Sequence, residues 1–188
     1  MVVVVVDKSG FILRRADAVL VMVDLQDRLL AAMGRKDDVV AASIRLVKGC
    51  SHLGIPIIVT EQYPKGLGPT VSSLKDIVPT AIEKISFDCC GEDGFLTELK
   101  KTSRHQVILC GSETHICVLQ TCVSLLQEGF DVHVIADAVC SRNDGDRDVA
   151  LTTMRQAGAV VSSVETALFQ ILGKAGTAEF KEISAIVK

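Results

Sequence analysis

The 188-residue chain has no tryptophan, one tyrosine and four prolines, and aromatic residues make up only 4% of it. Its core must be aliphatic, which suits a sheet covered on both faces whose strands read as continuous Val, Ile and Leu runs. There is no basic excess either: 20 Lys and Arg against 23 Asp and Glu leave a net charge of −3. Nucleic-acid binders usually show a basic face, so no nucleic-acid partner is expected. No apolar run approaches the roughly 20 residues that span a bilayer, so no membrane partner is expected. The opening MVVVVVDKSG lacks the basic flank and the length of a secretory signal. Residues 1–16 are read as an N-terminal strand or tail.

Cysteine, by contrast, is plentiful. Seven residues, at 50, 89, 90, 110, 117, 122 and 140, are odd in number and sit mostly inside apolar runs. That pattern implies buried free thiols in a reducing compartment, hence a cytoplasmic protein. With 48% hydrophobic residues, residues 1–188 are expected to form a single domain, burying roughly 70% of the surface its unfolded chain would expose.

The apolar runs follow one grammar. Ala18 to Val23 is a β-rich run ending on Asp24, and residues 37 to 53 follow with apolar positions three and four apart, the spacing of an amphipathic helix stopped by Gly54. Ile55 to Val59 is a second strand ending at Thr60-Glu61. Residues 62 to 81 hold three of the four prolines and read as a long functional loop with a turn near 72–77. A short segment from 81 to 87 carries Lys84. A helix over 92–101, a strand over 106–110, a helix over about 115–128, a strand over 131–136 ending at Asp137, and a helix over about 146–157 come next. A strand at 159–161 and helices near 165–172 and 178–187 complete the series. Alternation of this kind defines an α/β fold, a three-layer α/β/α sandwich around a mostly parallel, doubly wound, Rossmann-like sheet. Ligands in such sheets bind beyond the carboxyl ends of the strands. Asp24, Glu61, residues 113 to 117 and Asp137 all fall at such ends and can share one rim.

Cys117, in GSETHICVLQT, lies where a strand hands over to a helix. Unpaired N–H groups at a helix start favour thiolate, so Cys117 is expected to be an activated nucleophile. An acid (Asp24), a lysine (Lys84) and this cysteine, each at the end of a different element, can form a proton-transfer unit. The carboxylate takes the thiol proton and the ammonium holds the carboxylate. Gln62, Tyr63 and Phe87 are expected pocket walls from their places on the loops, and His115 a candidate substrate contact. Cys89-Cys90 lacks a second pair at ligand spacing and is read as incidental, and the polar run 143–148 as a capped helix start.

VLVMVDLQDRL, the lone lysine in EKISF, and GSETHICVLQT followed by GFDVHVIADAVCSR resemble the isochorismatase-like cysteine hydrolase family, in the right order over roughly residues 18 to 187. TEQYPKGLGPT and FKEISAIVK are most similar to its eukaryotic isochorismatase-domain-containing branch. The resemblance implies Asp24 as general base, Lys84 as its charged partner and Cys117 as a nucleophile that forms a thioester. It also implies a cis peptide between Ser112 and Glu113 and an oxyanion hole made by the N–H groups of Glu113 and Cys117. Nicotinamidases of the family carry an aspartate and histidines for a metal after the second strand, whereas this chain has Glu61-Gln62-Tyr63-Pro64. No metal and no cofactor are therefore expected. True isochorismatases of the family lack the cysteine, so Cys117 points to amidohydrolase chemistry on a small C–N (amide-like) substrate. The resemblance also implies a homo-oligomer. The competing reading is a catalytically weak binding or scaffold protein on the same fold.

Overall fold

The computed structural model describes residues 9–188. The expected N-terminal strand or tail lies partly outside these residues; within them, Ser9–Phe11 form a 3₁₀ turn. The sheet strands are β1 (Ala18–Val23), β2 (Ile57–Gln62), β3 (Ile82–Lys84), β4 (Gln106–Ser112), β5 (Asp131–Cys140) and β6 (Val160–Ser162). The helices are α1 (Asp27–Leu30), α2 (Lys36–His52), α3 (Pro64–Leu67), α4 (Ser72–Lys75), α5 (Asp93–Lys101), α6 (Leu119–Gln127), α7 (Asp144–Gln156), α8 (Val164–Leu172) and α9 (Ala178–Val187). The sheet order is β3-β2-β1-β4-β5-β6, and every pairing is parallel. The chain winds outward from β1 in one direction and then restarts at β4 on its other side. The reversal of order, where such sheets bind ligands, thus falls between β1 and β4.

All six residues of β1 are fully buried, because the strand is covered on both faces. Ala18, Leu20 and Met22 pack toward α2, α8 and α9, whereas Val19, Val21 and Val23 pack toward α5, α6 and α7. Full burial of each large aliphatic side chain contributes about 1.5–3 kcal/mol, which makes the continuous apolar run the right pattern for a central strand. In α2, Val39, Ala42, Leu46, Val47 and Cys50 are buried at helical spacing, and Gly54 (φ +69°) turns the chain out of it.

Two elements depart from the sequence reading. β5 does not end at Asp137 but continues to Cys140. Leu109 pairs with Val134 and Gly111 with Val139, so two steps along β4 face five along β5. The odd offset exchanges the faces: Ile135 and then Ala138 and Cys140 point to the α2 side. Arg147 holds the irregular stretch by donating through Nη2 to Ala136 O and through Nε to Val139 O. Asp137 is therefore removed from the ligand rim, and its Oδ1 accepts the N–H of Val164 at the start of α8. Glu61 lies inside β2 and accepts from the N–H and hydroxyl of Thr70, which pins the following loop.

The second departure concerns Cys117. Residues Thr114–Val118 form a π-helical turn in which Val118 N–H reaches back five residues to Glu113 O at 3.2 Å. The α-helix begins only at Leu119. Cys117 is held in a widened turn ahead of the helix, not in the helix's first turn.

Candidate active site

β1 and β4 run side by side until Val23 pairs with Gly111. Gly111 has φ +124°, and a Cβ there would collide with the Val23 carbonyl, so glycine alone permits this close approach. Beyond it Asp24 leaves the sheet with φ +49°. Its backbone is held on both sides: its N–H donates to Thr60 O at 3.2 Å, and its carbonyl accepts from Ser112 Oγ at 2.8 Å.

The Asp24 side chain is completely buried. Oδ2 stands 2.7 Å from Lys84 Nζ, Oδ1 accepts from Thr60 Oγ1 at 2.7 Å, and the Cys117 thiol lies near enough to act on the same carboxyl electrostatically. The three residues expected to act together are therefore brought together. Lys84, which helical or strand spacing would equally leave in solvent, is 2% exposed. Its ammonium also donates to Gln62 Oε1 at 2.6 Å, Ser86 O at 3.1 Å and Phe87 O at 3.2 Å. A group ringed by acceptors is an ammonium, since a neutral amine would bring its lone pair against one of them.

Burial raises the Asp24 carboxyl above the ordinary carboxylate range, and Lys84, Thr60 and Cys117 only partly draw it back. For Lys84 burial acts downward, but the facing Asp24 charge, with smaller contributions from Cys89 and Cys117, carries its proton affinity above normal. The Cys117 thiol is pushed up to about 12, first by burial and then by the negative charge of Asp24, with Lys84 opposing. This corrects the expectation of a resting thiolate. The π turn encloses the sulfur beside a carboxylate, and burial there outweighs the helix start. Chemistry at this sulfur needs a base to take its proton, and Asp24 is the carboxylate whose charge acts on it.

Of the remaining expected residues, Gln62 and Phe87 meet this cluster only at Lys84. Gln62 spends its carboxamide internally, on Lys84 and on Ile85 O at 2.7 Å. His115 Nδ1 lies 2.9 Å from Ser141 Oγ. Tyr63 and Phe87 are about half exposed, at 52% and 54%, and Tyr63 borders a cleft of about 330 Å³ with Pro64, Lys65, Glu83, Lys84, Ile85 and Glu92. A larger hollow, about 380 Å³ beside Asp27, Lys36 and Val71, lies away from the cysteine. The peptide joining Ser112 to Glu113 is cis. The Glu113 carboxylate accepts from the N–H and Nε of Arg142 at 3.0 and 3.2 Å, which ties the loop to the end of β5. Among the described residues no three His, Cys, Asp or Glu side chains gather as a metal site.

The contacts of Thr60 and Gln26 at this site were missed. Cys89, read as incidental, is fully buried, its thiol 3.8 Å from Thr60 Oγ1, and its N–H donates to Thr121 Oγ1 at 3.0 Å. The sequence signal was faint, a threonine at a strand end and a glutamine two residues past the acid.

A parallel doubly wound sheet with a buried acid, lysine and cysteine at its switch point defines an α/β protein whose candidate site lies where such sheets bind ligands. The isochorismatase domain model matches residues 18–166. The mouse isochorismatase domain-containing protein 2A is 38% identical over 172 residues, covering 91% of this chain and 82% of the relative. Among solved structures, the MAR1 ribonuclease from Caenorhabditis elegans superposes with a TM-score of 0.87 at 37% identity, covering 93% of this chain and 91% of that one. The YcaC gene product of Escherichia coli, described as an octameric hydrolase of unknown specificity, has a TM-score of 0.87 at 26% identity, covering 93% and 90%. The chain belongs to the isochorismatase family, alongside its eukaryotic isochorismatase domain-containing members, and that membership supports a hydrolase function.

Proposed function

We propose that the chain is a cysteine hydrolase that cleaves a C–N (amide-like) bond of a small molecule through a thioester on Cys117. The observation that carries this reading is the buried ion pair of Asp24 with Lys84 at 2.7 Å, set at the switch point beside the buried Cys117. As the sulfur attacks the substrate carbonyl, its proton passes to Asp24. The tetrahedral oxygen is met by the N–H groups of Glu113 and Cys117. Collapse breaks the C–N bond, and the proton on Asp24 leaves with the amine. Asp24 then takes a proton from water, whose oxygen attacks the thioester; the C–S bond breaks, Asp24 returns the proton to the departing sulfur, and the acid and the free thiol are released. Lys84 stays an ammonium throughout and keeps the carboxylate charged between transfers. The route calls on no metal and no cofactor.

Tyr63, Phe87, Gln62 and His115 are the proposed surroundings of the substrate, the first two directly at the exposed lip and the last two through the groups they hold. The seven free cysteines, six of them buried, favour a reducing cytoplasmic setting, and no described helix is long and apolar enough to cross a membrane. The octameric state of YcaC favours a homo-oligomer. A net charge of −3 speaks against a nucleic-acid substrate. RNA nevertheless belongs in the assay, because the C. elegans relative is named a ribonuclease. The test is a panel of small amides, carbamoyl and ureido compounds and RNA, with the wild type and Cys117→Ala. Turnover of one amide-like compound that vanishes in Cys117→Ala supports the reading. Turnover that survives refutes it, and a chain that turns over nothing on the panel is the binding or scaffold protein.

A further inference from the structure

β1 and β2 pair in register from Leu20 with Ile57 to Val23 with Thr60. Asp24 then turns out of the sheet, while β2 runs on to Gln62, which still pairs with Lys84 on β3. At Gln62 the strand has lost its β1 neighbour, and a side chain takes the vacated place. Gln26 Oε1 accepts from Gln62 N–H at 2.7 Å, and Gln26 Nε2 donates to Gln62 O at 3.0 Å. The carboxamide makes the two bonds that a further peptide of β1 would have made. Gln26 is fully buried, and its Nε2 also donates to Gly68 O at 2.6 Å, so both ends of the amide are satisfied.

Held this way, Gln62 sets its own side chain. Oε1 faces the Lys84 ammonium, which can only donate, and Nε2 faces the Ile85 carbonyl, which can only accept. The amide has one permitted orientation. Its 2.6 Å bond to Lys84 is shorter than the 3.1 and 3.2 Å bonds from Nζ to the Ser86 and Phe87 carbonyls. We propose that Gln62 is a positioning residue that fixes the Lys84 ammonium against Asp24, and that Gln26 fixes Gln62 by completing the sheet edge. The catalytic meaning rests on the cysteine-hydrolase reading; the hold on Lys84 does not. Because Gln26 also grips Gly68, the loop that begins at Tyr63 and the charge beside Asp24 are tied to one carboxamide.

The titratable groups facing Lys84 besides this amide are Asp24 from the end of β1, Cys117 from the π turn, Cys89 and, more remotely, Glu92. All four remain in the variants that follow. The experiment titrates the Lys84 Cε resonance of the full chain carrying ¹³C-lysine, assigned by its loss in Lys84→Met. Gln62→Met keeps the length but removes the acceptor, and the proton affinity of Lys84 falls at least tenfold. Gln62→Glu supplies a second carboxylate oxygen, and the affinity stays at or above wild type. Gln26→Met lowers it in the same direction as Gln62→Met. A purely spatial role would lower the melting temperature and leave the Lys84 midpoint where it is; an unchanged midpoint in folded Gln62→Met overturns the proposal. If that variant does not fold, a midpoint below wild type in Gln62→Glu overturns it instead. Turnover surviving in Cys117→Ala would remove the hydrolase reading, and the Lys84 midpoints would still decide whether Gln62 holds the ammonium.

Discussion

At the scale of single residues, the centre is governed by the cost of burying charge. Asp24 and Lys84 are almost wholly removed from water, and each is tolerable only because the other is there. Lys84→Met should therefore destabilise the fold by about 3–5 kcal/mol, because it strands a buried carboxylate. The double variant Asp24→Asn, Lys84→Met should recover most of that loss, and denaturant melts of the two compare them directly. The pH dependence follows from the same burial. Asp24 accepts a proton only when ionised, and burial lifts its carboxyl above the ordinary value of 3.8. The acid limb of kcat/KM should lie above that value, with activity lost as pH falls through it. Thr60→Val removes a hydrogen bond that lowers the Asp24 pKa, so its limb should move to still higher pH. A limb at or below 3.8 in the wild type would contradict the assignment of Asp24 as base.

At the scale of elements, the irregular part of β5 is what places the ends of β4 and β5 around the site. The extra residues between Val134 and Val139 are held by Arg147, whose side chain is 11% exposed. Arg147→Met should leave the Ala136 and Val139 carbonyls without that donor and cost about 1–3 kcal/mol, read as a lower denaturation midpoint at unchanged slope. This irregularity was not legible in the sequence. DVHVIADAVC gives a run that stops at Asp137, and nothing local says that the chain resumes pairing after a three-residue excess. β1, β4 and α2 were legible because burial on both faces or at helical spacing writes itself into the apolar pattern. Asp24 and the segment holding Cys117 were readable because each follows such a run, whereas Lys84 follows none and was named from the resemblance. Gln26, Thr60 and Cys89 make their contacts between elements, and the ionisation of Cys117 depends on enclosure, which spacing does not encode. The helix start suggested a thiolate; burial, and after it the Asp24 charge, pushes the thiol up to about 12.

At the scale of the whole molecule, the doubly wound order puts β1 next to β4, and so puts Asp24 within reach of a cysteine 93 positions later in the chain. The exposed Tyr63 and Ile85 leave apolar surface at the cleft, and Phe87 is exposed as well. With an octameric relative in the family, sedimentation should show particles larger than the 20.1 kDa chain; monomers alone would contradict the homo-oligomer. The central claim is that Cys117 carries the acyl group during turnover. Its most direct test is mass spectrometry of acid-quenched protein and its peptides after mixing with a turned-over amide. The account predicts a mass increase equal to the acyl group on the peptide holding Cys117, absent from Cys117→Ala, which is also inactive. An acyl group on any other residue, or turnover continuing without Cys117, would contradict it.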